Sequence, residues 1–149
     1  MVKYIHSYEL AAIIQSDKKS GKGVVHVNNC RLSIKRLIKV LDYLVVDVRD
    51  EDWVGGNIKG SRHIPSEKFL IEVDQLLKDS KDVPTVVFHC RLSQQRGPKA
   101  ARIYEEARNL LHPSGEHFEV RVLSGGFYQF GEIYKDNPKL VENWRDIVW

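Results

Sequence analysis

Apolar residues recur along this chain in two rhythms, one fitting helices and one fitting strands. Leu10, Ile13 and Ile14 share a face of a predicted helix over Tyr8 to Gln15, with Ser7 placed to cap it. Phe69, Leu70, Val73, Leu76 and Leu77 repeat at helical spacing after Ser66, which can start a second helix. Gly97-Pro98 opens a third, continued by Ala100, Tyr104, Ala107 and Leu111 and ended by Pro113-Ser114-Gly115. Between these lie unbroken apolar or β-branched runs, Tyr43 to Val48 and Thr85 to Phe88, which read as buried strands. Phe118, Val120 and Val122 alternate with polar residues and give a further strand. Gly125-Gly126 leads into a helix through Ile133, and Leu140 to Ile147 fits another. Strands alternating with helices predict an α/β fold, a central parallel sheet flanked by helices on both faces.

The chain has 149 residues, the size of one domain, and no repeat or linker divides it. No apolar run approaches the roughly 20 residues that span a bilayer, and Met1 to Leu10 lacks the apolar core of a signal peptide. Two cysteines, Cys30 and Cys90, cannot build a disulfide framework. The expected location is therefore the cytoplasm, with the nucleus as a second compartment. A net charge of +3 does not point to nucleic acid, and no membrane association is expected. Where the cations fall matters more. Arg91, Arg96, Lys99 and Arg102 crowd Cys90, while Arg31, Lys35, Arg36 and Lys39 form a second cluster.

In parallel α/β sheets, ligands bind beyond the carboxyl ends of the strands. Cys90-Arg91-Leu92-Ser93-Gln94-Gln95-Arg96 lies there, between a strand ending at His89 and a helix opened by Pro98. Its backbone N–H groups can form an anion-binding nest, and Arg96 can grip two oxygens of a tetrahedral oxyanion. Thiols at helix N-termini beside cations are acidified, so Cys90 is expected as a thiolate nucleophile toward phosphorus or arsenic. Gly97 supplies a small residue where the loop meets the helix. A lone cysteine at a strand end favours a buried, inert thiol, and the order strand–Cys–loop–Arg–Gly–Pro–helix tips the reading to function. His89 could tune the thiolate, though orienting the loop by a buried hydrogen bond is the preferred role. Ser93 could bond the thiolate, assist its departure, or only brace the loop.

His89-Cys90, five residues, then Arg96-Gly97-Pro98 resembles the active-site loop of rhodanese-fold phosphatases. These are the M-phase inducer phosphatases and their small fungal and plant relatives, with the closely related eukaryotic arsenate reductases. Val46-Asp47-Val48-Arg49-Asp50, Gly55-Gly56-Asn57-Ile58-Lys59-Gly60-Ser61 and His63-Ile64-Pro65 are similar to that family's first signature. Leu123-Ser124-Gly125-Gly126-Phe127 resembles its late glycine pair. The resemblance implies a rhodanese-like domain and supporting roles for His89, Asp47 and Arg49. It also implies a cysteine-dependent phosphatase acting on phosphoprotein or small aryl phosphate through a phosphocysteine. No metal or cofactor is required. The alternative it implies is an arsenate reductase with glutathione as co-substrate and glutaredoxin as partner. The seven-residue loop, counted from Cys90 to Arg96, is the length the family associates with phosphate and arsenate, so sulfur transfer stands behind both. Two departures stand out. Asn57 replaces the family's usual histidine. Gln95 replaces the loop glutamate of the M-phase inducers, which leaves Glu51, Asp52 or a substrate proton as the general acid. A phosphate-binding module without turnover is the remaining class.

Val24 to Leu41 sits where the family passes quickly into the Tyr43 strand. Cys30, Ile34, Leu37, Ile38 and Leu41 would share the face of a basic amphipathic helix, read first as a packed surface helix. Docking to a partner or an anionic lipid surface is the second reading, and a retained intron the third. Cys30 is also a candidate resolving thiol, and Cys30→Ser is expected to leave activity intact.

Overall fold

The computed structural model describes residues 2–16, 25–26, 37–38, 42–111 and 118–145. Five strands form its centre: β1 (Lys3–Ile5), β4 (Tyr43–Asp47), β6 (Arg62–His63), β7 (Thr85–His89) and β8 (Glu119–Leu123). They make one wholly parallel sheet in the order β1-β8-β7-β4-β6. Two short antiparallel ladders lie apart from it. One pairs β2 (Val25–His26) with β3 (Leu37–Ile38), the other β5 (Asn57–Ile58) with β9 (Val141–Glu142).

Period-2 alternation assigns each strand residue to a face. Leu44, Val46, Val86 and Phe88 pack under α2 (Phe69–Asp79) and α3 (Arg96–Leu111) with Leu76, Ala101 and Tyr104. Tyr43, Val45 and Val87 face the other way, toward α1 (Ser7–Gln15) and α4 (Gly126–Tyr134), where Leu10, Phe127 and Phe130 complete a second core. The same alternation puts Cys90 with the first core and leaves Asp47 and His89, register partners, side by side on the second face.

Several expected elements differ. Ser7 is the first buried residue of α1, and His6 holds the capping position, its N–H donating to Glu9 Oε1 at 3.1 Å. Ser66 opens a 3-10 turn, Ser66–Lys68, and its hydroxyl bonds Asp50 instead of capping α2. Leu70 and Leu111 match the helical spacing but are exposed, with no element among the described residues covering them. The helix expected over Leu140 to Ile147 is absent from its described part. Val141 and Glu142 form β9, and Asn143 takes a φ of 61°, outside any right-handed helix. Within 24–41, Leu37 and Ile38 are extended and paired, which overturns the helix there. Cys30, Ile34, Leu41 and the four cations of that segment lie outside the described residues, as do Pro113, Ser114, Gly115 and Ile147.

Candidate functional site

β4 and β7 are neighbours in the sheet, so the segments leaving their carboxyl ends meet. After β7 comes the loop from Cys90 to Arg96. Cys90 is 3% exposed, so its chemistry belongs to the floor of the loop. The Ser93 N–H donates to Cys90 Sγ at 3.2 Å, in a turn that holds Ser93 at a φ of 56°. The Ser93 hydroxyl is buried and bonds none of the described residues. Leu92, Gln94 and Gln95 are exposed, and Arg91 lies 5.8 Å from the centroid of the exposed Tyr128 ring. The loop then runs into α3, which begins at Arg96 and whose N-terminal end is the positive end of the helix dipole.

Two glycine contacts fix the loop from behind. At Gly97 an added Cβ would lie 3.3 Å from the Cys90 nitrogen and from His89 backbone atoms, so α3 starts hard against the strand end. Gly126, at a φ of 62°, brings α4 onto the loop: Phe127 N–H donates to Cys90 O at 3.0 Å and Tyr128 N–H to Arg91 O at 2.9 Å.

Beneath the loop sits a buried polar group. Arg49 binds Asp47 through Nε and Nη2, at 3.0 and 2.6 Å, donates to Gly56 O at 2.8 Å and covers the Phe127 ring at 4.3 Å. It thereby links the two glycine-bearing motifs. Burial pushes the Asp47 carboxyl up, but the neighbouring His89 and the Arg49 hydrogen bonds and charge outweigh it and hold it below the usual range. His89 Nδ1 lies 3.0 Å from Cys90 O, the geometry of the loop-orienting role, and its Nε2 is 3.8 Å from Asp47 Oδ2. Burial pushes this imidazole down, so it is mainly neutral at pH 7. Asn57 has a structural place, bonding Ile58 O and Glu142 at 3.0 and 2.9 Å across the β5–β9 ladder.

After β4 comes the acidic turn Glu51–Trp53, and its meeting with Arg96 was not anticipated from sequence. Arg96 Nη1 donates to Asp52 Oδ1 at 2.9 Å and to Asp50 Oδ2 at 3.2 Å, and Nη2 to Asp52 Oδ2 at 2.7 Å. The Arg96 hydrogen bonds lower the Asp52 carboxyl, so this residue is ill-suited as a general acid near neutral pH. Two carboxylates also oppose the positive field that Arg96 was expected to exert on Cys90. Arg102 is exposed and turned to a cleft of about 380 Å³ shared with Glu105 and Glu106, and Lys99 is exposed on α3. Only an acid turn so close behind a strand end hinted at this contact. The Trp53–His63 stack, 4.7 Å between centroids, and His63 Nε2, 2.6 Å from Arg49 O, were also missed. Among the described residues, no three or more His, Cys, Asp or Glu side chains gather to hold a metal ion, and no helix is long and apolar enough to cross a membrane.

Known proteins resemble the chain in both sequence and fold. The dual specificity phosphatase ibp1 of Schizosaccharomyces pombe is 38% identical over 112 residues, covering 66% of this chain and 81% of that one. Arsenate reductase 2.2 of Oryza sativa subsp. japonica is 37% identical over 84 residues, 56% of this chain and 65% of that one. The solved structure of Ygr203w, a yeast protein tyrosine phosphatase of the rhodanese family, superposes with a TM-score of 0.70 at 28% identity, covering 97% of this chain and 94% of that one. The model of the rhodanese-like domain matches residues 32–132, most of the chain, and the protein belongs to that family.

Proposed function

We propose that this protein is a cysteine-dependent phosphatase for phosphotyrosine, dual-specificity or small aryl phosphate substrates. The observation that carries the reading is the closed loop from Cys90 to Arg96, with the Ser93 N–H turned onto Cys90 Sγ at 3.2 Å and the N-terminus of α3 behind it. Relatives named as phosphatases share the family and support the same choice.

In the proposed reaction Cys90 Sγ attacks phosphorus and the bond to the leaving oxygen breaks, giving a phosphocysteine. Loop N–H groups and Arg96 hold the equatorial oxygens as charge shifts onto them. His89, Asp47 and Arg49 hold the loop from below. With Asp52 ionised on Arg96 and Gln95 at the loop position, the leaving oxygen takes its proton from Glu51, the exposed carboxyl of the same turn, from the substrate phosphate or from water, and the last two routes favour aryl leaving groups. Water then hydrolyses the phosphocysteine to phosphate and free Cys90. Soluble phosphoproteins of the cytoplasm or nucleus are the proposed substrates.

The missing loop carboxylate, together with the rice relative named arsenate reductase, favours arsenate reduction as the second reading. There Cys90 attacks arsenic, glutathione supplies the second thiol, and glutaredoxin resolves the mixed disulfide. One preparation assayed for aryl phosphate hydrolysis and for glutathione-dependent arsenite production decides between them. Hydrolysis supports the phosphatase, and arsenite formation without hydrolysis overturns it.

A further inference from the structure

We infer that Asp52, with Asp50 behind it, is the positioning residue for Arg96, turning one chosen edge of the guanidinium toward the oxyanion. The inference rests on the proposed role of the loop in oxyanion capture and adds two residues to it.

A guanidinium carries five N–H donors in a rigid plane. Three of them are occupied here: both on Nη1, by Asp50 and Asp52, and one on Nη2, by Asp52. The two that remain are the Nε–H and the second Nη2–H, which are parallel and lie along the same edge. Among the described residues Nε donates to nothing. That free edge has the spacing for two oxygens of one phosphate or arsenate. Asp52 therefore takes the end of the fork and leaves its side for substrate.

The clamp is itself anchored. Asp50 accepts the Ser66 hydroxyl at 2.6 Å and the Glu67 N–H at 3.3 Å, and Asp52 accepts the Asp50 N–H at 3.0 Å. Arg96 is thus tied to the turn after β4 and, through Asp50, to the turn before α2. A flexible side chain becomes a fixed donor pair, which lowers the ordering cost of binding. The two carboxylates weaken the net positive field at the same time. Most of the charge attraction must then come from the loop N–H groups and α3, with Arg96 contributing direction.

The test is titration of wild type, Asp52→Asn, Asp52→Glu and Asp50→Asn with inorganic phosphate by calorimetry, alongside aryl phosphate kinetics and thermal melting. Binding is read without turnover, so the phosphatase reading can fail while this inference stands. Asp52→Asn is expected to weaken phosphate binding about tenfold and to lower kcat/KM roughly tenfold to a hundredfold, the penalty of a misaimed group. Its melting temperature should fall only a few degrees, since the pair is partly exposed. Asp52→Glu should recover most of the affinity, and Asp50→Asn, which loses the longer contact, should shift it in the same direction by less. Equal or tighter phosphate binding in Asp52→Asn overturns the inference, because the acid would then be a competitor for Arg96. An Asp52→Glu protein no better than Asp52→Asn also overturns it. If Asp52→Asn does not fold, Asp50→Asn decides alone, and wild-type affinity there counts against the clamp. Wild type that binds no phosphate removes the inference and its foundation together.

Discussion

Replacing Gly126 by alanine forces a choice between α4 and the Cys90 loop. The added Cβ would overlap Arg91 O, and would stand 2.6 Å from Arg91 C and 2.7 Å from Cys90 O, all backbone atoms with nowhere to rotate. Relieving the overlap to an ordinary carbon–oxygen contact moves the two segments apart by roughly 1 Å. That stretches Phe127 N–Cys90 O and Tyr128 N–Arg91 O from 3.0 and 2.9 Å to about 4 Å, beyond hydrogen-bond range. Losing two such bonds, plus the left-handed backbone at a φ of 62°, costs roughly 2–5 kcal/mol. For a chain of this size the melting temperature falls by about 5–20 °C. A loop displaced by roughly 1 Å should also lose about a hundredfold in kcat/KM. Gly125→Ala is the internal control. It carries similar backbone strain at a φ of 79°, but its Cβ meets the Gln129 side chain, whose amide end can swing aside, and not the backbone of the loop. Melting followed by circular dichroism and aryl phosphate kinetics at a temperature where all proteins are folded give both numbers. Equal melting for the two variants, or wild-type turnover in Gly126→Ala, would refute the idea that α4 holds the loop in shape.

The buried groups make further outcomes testable. Since burial lowers the His89 imidazole from its ordinary value of 6.5, the unfolded chain binds the extra proton first. Stability is then fully present above about pH 6.5 and declines as pH falls below it; His89→Gln should flatten that decline in pH-dependent melting. The Asp47 carboxyl is lowered, so its contribution is present above about pH 4 and is lost as pH falls through its folded value. Asp47→Asn should therefore be less stable than wild type at neutral pH and approach it in acid. Phe130→Ala empties the fully buried centre of the α4 core and should cost about 3–5 kcal/mol in denaturant unfolding.

Legibility from sequence tracked the length and self-sufficiency of each signal. β4, β7 and β8 were readable because Tyr43–Asp47, Thr85–His89 and Glu119–Leu123 each carry enough β-branched or alternating residues to exclude a helix. β1, β5, β6 and β9 run only two or three residues, and their extended state comes from the partner strand instead of local preference. Leu140 and Val141 suit a helix face as well as a small ladder, and the left-handed Asn143 that settles the matter leaves little trace in composition. The Cys90 loop was legible as a local motif on one strand and one helix. The Arg96–Asp52 pair was not, since its members lie 44 residues apart and meet only because β4 and β7 are neighbours in the sheet. Asp47 beside His89 depends likewise on the register Asp47↔His89, which no single strand reveals.

The claim that Cys90 is the nucleophile is met most directly by acid quenching during turnover of an aryl phosphate, with mass spectrometry of the peptide bearing Cys90. The account predicts one phosphoryl group on that sulfur in wild type, and a folded, inactive Cys90→Ser protein with none. Hydrolysis that proceeds at the wild-type rate in Cys90→Ser, or without phosphoryl transfer to Cys90, would contradict it.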